Sequence, residues 1–260
     1  MISPQLLVFL LILLRTLGVV GTAPILGNTQ VPTIWKIGFS VFLALMVDTN
    51  MTLQQLLPGG IANLTFPVFI AMAVRETLVG MALGFMMGLV FSAVEFAGSL
   101  LDIQVGLSIA SIISPGLIGP VTILSNLEYI LFTMWFLAVN GHYAIILAIL
   151  ESFRILPLGV ANFSGSLAEV MVKGTADLLV LGLQMAAPVM LALFITNVSL
   201  AVASRAVQQL NVFAIGLPVS LLVGFLMLSS IMPDFAYAFQ GLLATLESGV
   251  NEALQAMGGL

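Results

Sequence analysis

Residues Pro67–Pro120 read PVFIAMAVRETLVGMALGFMMGLVFSAVEFAGSLLDIQVGLSIASIISPGLIGP, and the fold turns on how this run is read. Its first half is apolar and long enough for a membrane-crossing helix, with Pro67 in the first turn, where a missing N–H leaves nothing unpaired. Gly80, Gly84 and Gly88 recur every four residues and share one helix face. A face without side chains lets another backbone come close, which predicts a packing seam. The second half changes character: Glu95, Asp102 and Gln104 place two carboxylates and an amide within ten residues, with Gly98 and Gly106 among them. The loop from Ser108 to Gly119 follows, and its core Ile112-Ile113-Ser114-Pro115-Gly116 cannot continue as regular helix. In lipid such a backbone leaves N–H and C=O groups unpaired, so it must be buried in protein or line a wet cavity. The loop and the polar signature before it form the predicted functional centre.

Outward from that run, composition sets the class. Of 260 residues, 61% are hydrophobic and 7% charged, with a mean hydropathy of +1.23. A soluble domain carries about 25% charged residues, so the chain is read as an integral membrane protein in contact with lipid. Cysteine is absent, which excludes disulfides, thiolate metal sites and thiol nucleophiles; a single histidine, His142, leaves metal chemistry poorly supplied, and no cofactor is expected. A net charge of −5 with six scattered basic residues argues against nucleic acid as a partner.

Leu6 to Ala23 is just long enough to span as helix, and Arg15 sits near its middle. An arginine there costs roughly 2.5 to 3.5 kcal/mol on insertion scales, so it should face a partner or a wet interior. The stretch resembles a signal peptide but lacks a basic start, and Pro24 follows its small-residue site; the first helix is expected to stay attached. Ile37 to Val47, between Lys36 and Asp48, is too short to span unaided. Arg75 and Glu76 are adjacent on the central helix, point in different directions and each require another partner; with Arg15 they make a set of buried charges. Met81, Met86 and Met87 beside the glycines read as adaptable core filler, or as a deformable seal.

Leu127 to Leu150 is apolar with a break at Asn140-Gly141-His142, and Glu151 to Leu167 reads as an irregular connection. Leu178 to Ala203 is apolar, carries Pro188, and holds Asn197, which as a buried amide asks for an interhelical hydrogen bond. Arg205 to Pro218 is a polar connection into the last apolar run, which ends near Pro233. The tail repeats Leu243, Leu246, Val250, Leu254 and Met257 at helical spacing with Glu247 and Glu252 off the stripe, which predicts an amphipathic helix docked on other helices. The sequence thus predicts an all-α, polytopic membrane protein of about six hydrophobic helical segments, forming one domain over 1–260. Several segments are short, broken or charged, which suits a subunit enclosed by others in a larger assembly.

These residues, in order, resemble the FliR family of flagellar biosynthesis proteins, which also has members in virulence type III secretion systems. The resemblance is carried by Arg15-Thr16, Ala23-Pro24-Ile25-Leu26-Gly27, Val31-Pro32 and Lys36-Ile37-Gly38; by Glu76, Gly80, Gly84, Glu95, Gly98, Asp102, Gln104, Gly106 and Pro115; and by Asn140-Gly141-His142, Pro157 and Pro188. Its most specific part is Arg205 with Gln209-Leu210-Asn211-Val212-Phe213 and Gly216-Leu217-Pro218. Gln208 stands where the family usually has proline, and Ser114 where it usually has aspartate.

The resemblance implies a subunit of the flagellar type III export gate, without enzymatic activity. It would assemble with the FliP and FliQ proteins, and with FlhB, in the bacterial inner membrane at the flagellar basal body, as part of a conical helical core through which unfolded flagellar proteins pass. It further implies that the segment including Gly106, Ser108, Ile109, Ile112, Ile113, Ser114, Pro115 and Gly116 is the plug of the closed gate. Arg205, Gln209, Asn211, Gly216 and Pro218 would form an assembly turn. Two other readings stay open on the residues alone. A secondary transporter for a small solute would use the broken helices and the charges Arg15, Arg75 and Glu76, although no internal repeat supports it. A membrane enzyme would need a metal cluster or a Gly-x-Ser-x-Gly motif, and neither is present in the sequence.

Overall fold

The computed structural model describes residues 4–58, 60, 65–107, 122–163, 165–206 and 212–258. Among the described residues every regular element is an α-helix. They are α1 (Pro4–Thr22), α2 (Thr33–Asn50), the single turn α3 (Leu53–Leu56), α4 (Phe66–Val105), α5 (Ile123–Ala138), α6 (Gly141–Ile155), α7 (Gly165–Ala206) and α8 (Val212–Gly258). By length and composition α1, α4 and α7 can each cross a membrane; α5 with α6, and the two halves of α8, meet the same criterion only when taken together across a break. The protein is therefore an all-α, polytopic membrane protein, with three helices of spanning length among the described residues, or up to five spans if each bent pair is one.

Several boundaries differ from the sequence reading because an isolated charge did not end a helix. α2 runs through both Lys36 and Asp48, and Lys36 Nζ reaches back to the Gly27 carbonyl at 2.9 Å. α6 continues through Glu151 and Arg154, exposed residues paired at 3.3 Å one turn apart, so the irregular connection starts after Ile155. α7 begins upstream at Gly165 and carries Pro188 internally. α8 begins at Val212, so Gly216 and Pro218 are helical where a connection was expected. The breaks fall where backbone chemistry dictates: Asn140, between α5 and α6, is left-handed with φ 59°, and Pro233 begins the second half of α8.

The chain gathers into two compact units. The first comprises residues 1–90, 140–175 and 243–260. Its core joins Leu11, Ile12 and Val19 of α1, Leu43, Ala44 and Val47 of α2, and Leu83 and Met87 of α4. Met86 fills the space beside two further glycines: a Cβ at Gly174 or Gly249 would sit 3.0 or 3.2 Å from its methyl. The tail stripe is docked here, with Leu246, Val250, Leu254 and Met257 buried, Lys173 paired to Glu252 at 3.3 Å, and the Asn162 N–H bonded to the Met257 carbonyl at 2.9 Å.

The second unit comprises residues 91–139 and 176–242. Its core is aromatic: the Phe132 ring meets Phe91 and Phe239 edge-on, each at 4.7 Å between centroids. Asn197 was expected to be buried; it is exposed on α7, yet it accepts the Ser220 hydroxyl of α8 at 3.2 Å.

Candidate functional site

In the first unit α4 lies against α1 along the glycine face. Gly80 rests on the Arg15 carbonyl, and a Cβ there would fall 3.0 Å from Gly18 Cα; at Gly84 it would fall 2.8 Å from the Val19 carbonyl. Gly18 answers from α1, where a Cβ would fall 2.8 Å from the Thr77 carbonyl. At Gly88 the corresponding distance is 3.7 Å, an ordinary contact, so sterics do not require glycine there.

Glu76 is one turn before Gly80 on the same stripe, and the close approach brings it to Arg15. Arg15 Nε donates to Glu76 Oε2 at 2.6 Å, and neither side chain has exposed surface. Most of the remaining groups are also engaged, although Arg15 Nη2 has no hydrogen-bond partner among the described residues. Arg15 Nη1 donates to the Ser152 and Leu156 carbonyls at 3.0 and 2.9 Å, at the negative end of α6, and the guanidinium lies 4.3 Å over the Phe153 ring. Glu76 Oε1 accepts the Gly159 N–H at 2.8 Å. Arg75, expected with them as a buried charge, is exposed: it sits off the glycine stripe and donates to the Gly159 carbonyl at 3.1 Å. Both neighbours thus end on Gly159, one inside and one outside.

In the second unit the polar signature forms a seat for the start of α5. Glu95, Gly98 and Asp102 follow at helical spacing and present one stripe of α4. Glu95 is exposed and contributes its carbonyl, which accepts the Ser125 hydroxyl at 2.9 Å. Gly98 gives the approach distance, since a Cβ would fall 2.8 Å from Ser125 N. Asp102 is buried; its Oδ1 accepts the Leu124 N–H at 2.9 Å and its Oδ2 the Ser125 N–H at 3.1 Å. Gln104 is half-buried near the end of α4.

That end is made by Gly106, left-handed with φ 91°. Its N–H bonds to the Ile103 carbonyl at 3.1 Å and the Leu107 N–H to the Asp102 carbonyl at 3.0 Å, the two-bond glycine terminus of a helix. The rest of the expected plug, Ser108, Ile109, Ile112, Ile113, Ser114, Pro115 and Gly116, lies outside the described residues, as do Gln209 and Asn211 of the expected assembly turn. Of that turn, Arg205 is exposed at the end of α7, Gly216 half-buried and Pro218 exposed in α8.

Sequence reasoning missed Ser125 and Glu128. Glu128 is 4% exposed, abuts Gly98, and has no hydrogen-bond partner at either oxygen among the described residues. The signal was available, because Glu128 is the one charge in the otherwise apolar α5, and ionisable groups in such segments are rarely neutral in their effect.

These helices and sites define the class: a polytopic α-helical membrane protein whose buried polar groups join helices and helix ends. The family described as bacterial export proteins, family 1, matches residues 6–246, and the chain belongs to it. Among its relatives, the flagellar biosynthetic protein FliR of Bacillus subtilis (strain 168) is 32% identical over 223 residues, covering 85% of this chain and 84% of the relative. FliR of Escherichia coli (strain K12) is 30% identical, with 86% and 84% covered, and FliR of Aquifex aeolicus (strain VF5) is 30% identical, with 88% and 86% covered.

Proposed function

We propose that this chain is a membrane subunit of the bacterial flagellar protein export apparatus. The observation that carries the reading is the family match along residues 6–246, with relatives named flagellar biosynthetic protein covering most of both chains. On this reading it assembles with FliP and FliQ proteins, and with FlhB, in the inner membrane at the flagellar basal body, and unfolded flagellar proteins pass through the assembly. It acts as a conduit and performs no chemistry; the energy for transport comes from elsewhere.

Gly106 to Gly119 is the plug of this gate at rest and is displaced during export. Support comes from its composition, apolar and rich in proline and glycine between polar signatures, and from the amount of polar bonding that α4 and α5 devote to its two flanks. Deleting Ile109 to Gly116 tests this. The assembled complex carrying the deletion should leak small ions across the membrane where the parent does not, measured as conductance. An assembled variant with the parent's conductance removes the plug from the mechanism.

A further inference from the structure

α5 does not begin by its own means. An α-helix opens with N–H groups that lack intrahelical acceptors, usually met by the side chain of the residue just before it. Here that residue, Thr122, makes no side-chain cap bond to the helix, its hydroxyl instead accepting from Asn126 at 3.2 Å. Ser125 cannot help, because its hydroxyl donates to the Glu95 carbonyl. The second and third amides of α5 go instead to Asp102, 22 and 23 residues earlier in the chain.

Asp102 also ends α4, since its carbonyl accepts the Leu107 N–H that closes the terminus at Gly106. One residue therefore terminates the helix before the 108–121 segment with its main chain and starts the helix after it with its side chain. A carboxylate suits the second task. It presents two acceptor oxygens to two N–H groups, and its charge meets the positive end of the helix. An asparagine would offer one oxygen and turn an N–H₂ towards a donor. Gly98 leaves the room for the approach, because any side chain there would drive Ser125 away.

We propose that Asp102 is a positioning residue that ties the end of α4 to the start of α5 and so holds the two flanks of the segment at a fixed separation. The consequence for gating rests on the plug reading above; the tie itself does not. Parting the flanks means releasing two buried amides from their acceptor or unwinding the last turn of α4.

The test separates a tie from an ordinary helix cap. Asp102→Ala removes the carboxylate, and Thr122→Asp added to it gives α5 a local cap that restores the helix start without joining it to α4. The chain has no cysteine, so spin labels at Leu107→Cys and Ile123→Cys report the span between the flanks in the complex, with any cysteines of co-purified chains replaced. The parent should give a narrow distance distribution, and both Asp102→Ala and the Asp102→Ala/Thr122→Asp pair a broad one. Recovery of the narrow distribution in the pair would make Asp102 an interchangeable cap and overturn the proposal, as would a narrow distribution in Asp102→Ala itself. If Asp102→Ala does not assemble, Asp102→Asn, which keeps one acceptor, is read in its place.

Ion leak in the same particles tests the consequence. Losing a hydrogen bond to a charged group corresponds to about tenfold or more in an equilibrium, so both variants should conduct small ions at about tenfold or more above the parent's background. A leaking deletion of Ile109 to Gly116 beside tight Asp102 variants overturns the claim that the fixed separation of the flanks matters to gating. If deletion and variants are all tight while the distances broaden, the plug reading fails and the tie stands.

Discussion

Arg15 and Glu76 lie 61 residues apart and meet with no exposed surface. Taking two charges out of water is expensive, and the pair is sustained by its further bonds to the end of α6 and to Gly159. Removing one partner leaves the other buried charge without its counter-ion, so Arg15→Ala or Glu76→Ala should each lower stability by roughly 3–5 kcal/mol. Arg15→Met with Glu76→Leu, which removes both charges at similar volume, should cost far less than the two single changes added. Thermal retention of the assembled complex in detergent measures all of them, and additive losses would mean that the pair is uncoupled. Arg15 stood out in the sequence because a charge in mid-span needs a partner; the identity of the partner did not. A helical-phase argument could have chosen between the adjacent candidates, since Glu76 shares the stripe of Gly80 and Gly84 and Arg75 does not. Glu128 was passed over because one acid in a long apolar run was read as part of the run.

At the scale of elements, the seam between α1 and α4 depends on two backbones approaching where α4 has no side chains. Gly80→Ala puts a methyl onto the Arg15 carbonyl, so the helices must part and disturb the ion pair beside it. Overpacking of this kind costs about 1–3 kcal/mol, whereas Gly88→Ala has ordinary contact distance and should be tolerated. Equal melting of the two variants in the assembled complex would show that the seam is not sterically determined. The glycine spacing was legible because period and residue type reveal a face without reference to any partner. Helix ends were less so. Lys36, Asp48 and Glu151 looked like boundaries and proved to be internal, because each charge lies on a helix with local contacts or exposure to accommodate it. The start of α5 was illegible for a different reason: its cap is supplied from another helix.

For the whole molecule, much apolar surface is left uncovered by the chain itself. On α7, Leu179, Val180, Leu183, Leu191, Phe194, Ile195, Val198 and Val202 are exposed, and such surface is covered by lipid or by other chains. On the export-subunit reading, native mass measured on a particle purified through a tag on this chain, co-expressed with its neighbouring membrane genes, should show a large heteromeric complex containing one copy. A stable monomer or homodimer without other proteins would overturn that reading and direct attention to solute transport. Composition by itself determined that the chain is a helical membrane protein, since too few charges remain to face water, and ordered motifs along its length determined its family. The periodicity of glycines and polar residues determined which faces of α4 are special. Only tertiary structure decided what those faces meet: that Glu76 rather than Arg75 turns inward to Arg15, and that Asp102 serves two helices at once. Both outcomes depend on bonds between residues separated by 22 to 61 positions, and local sequence carries the need for a partner without its address.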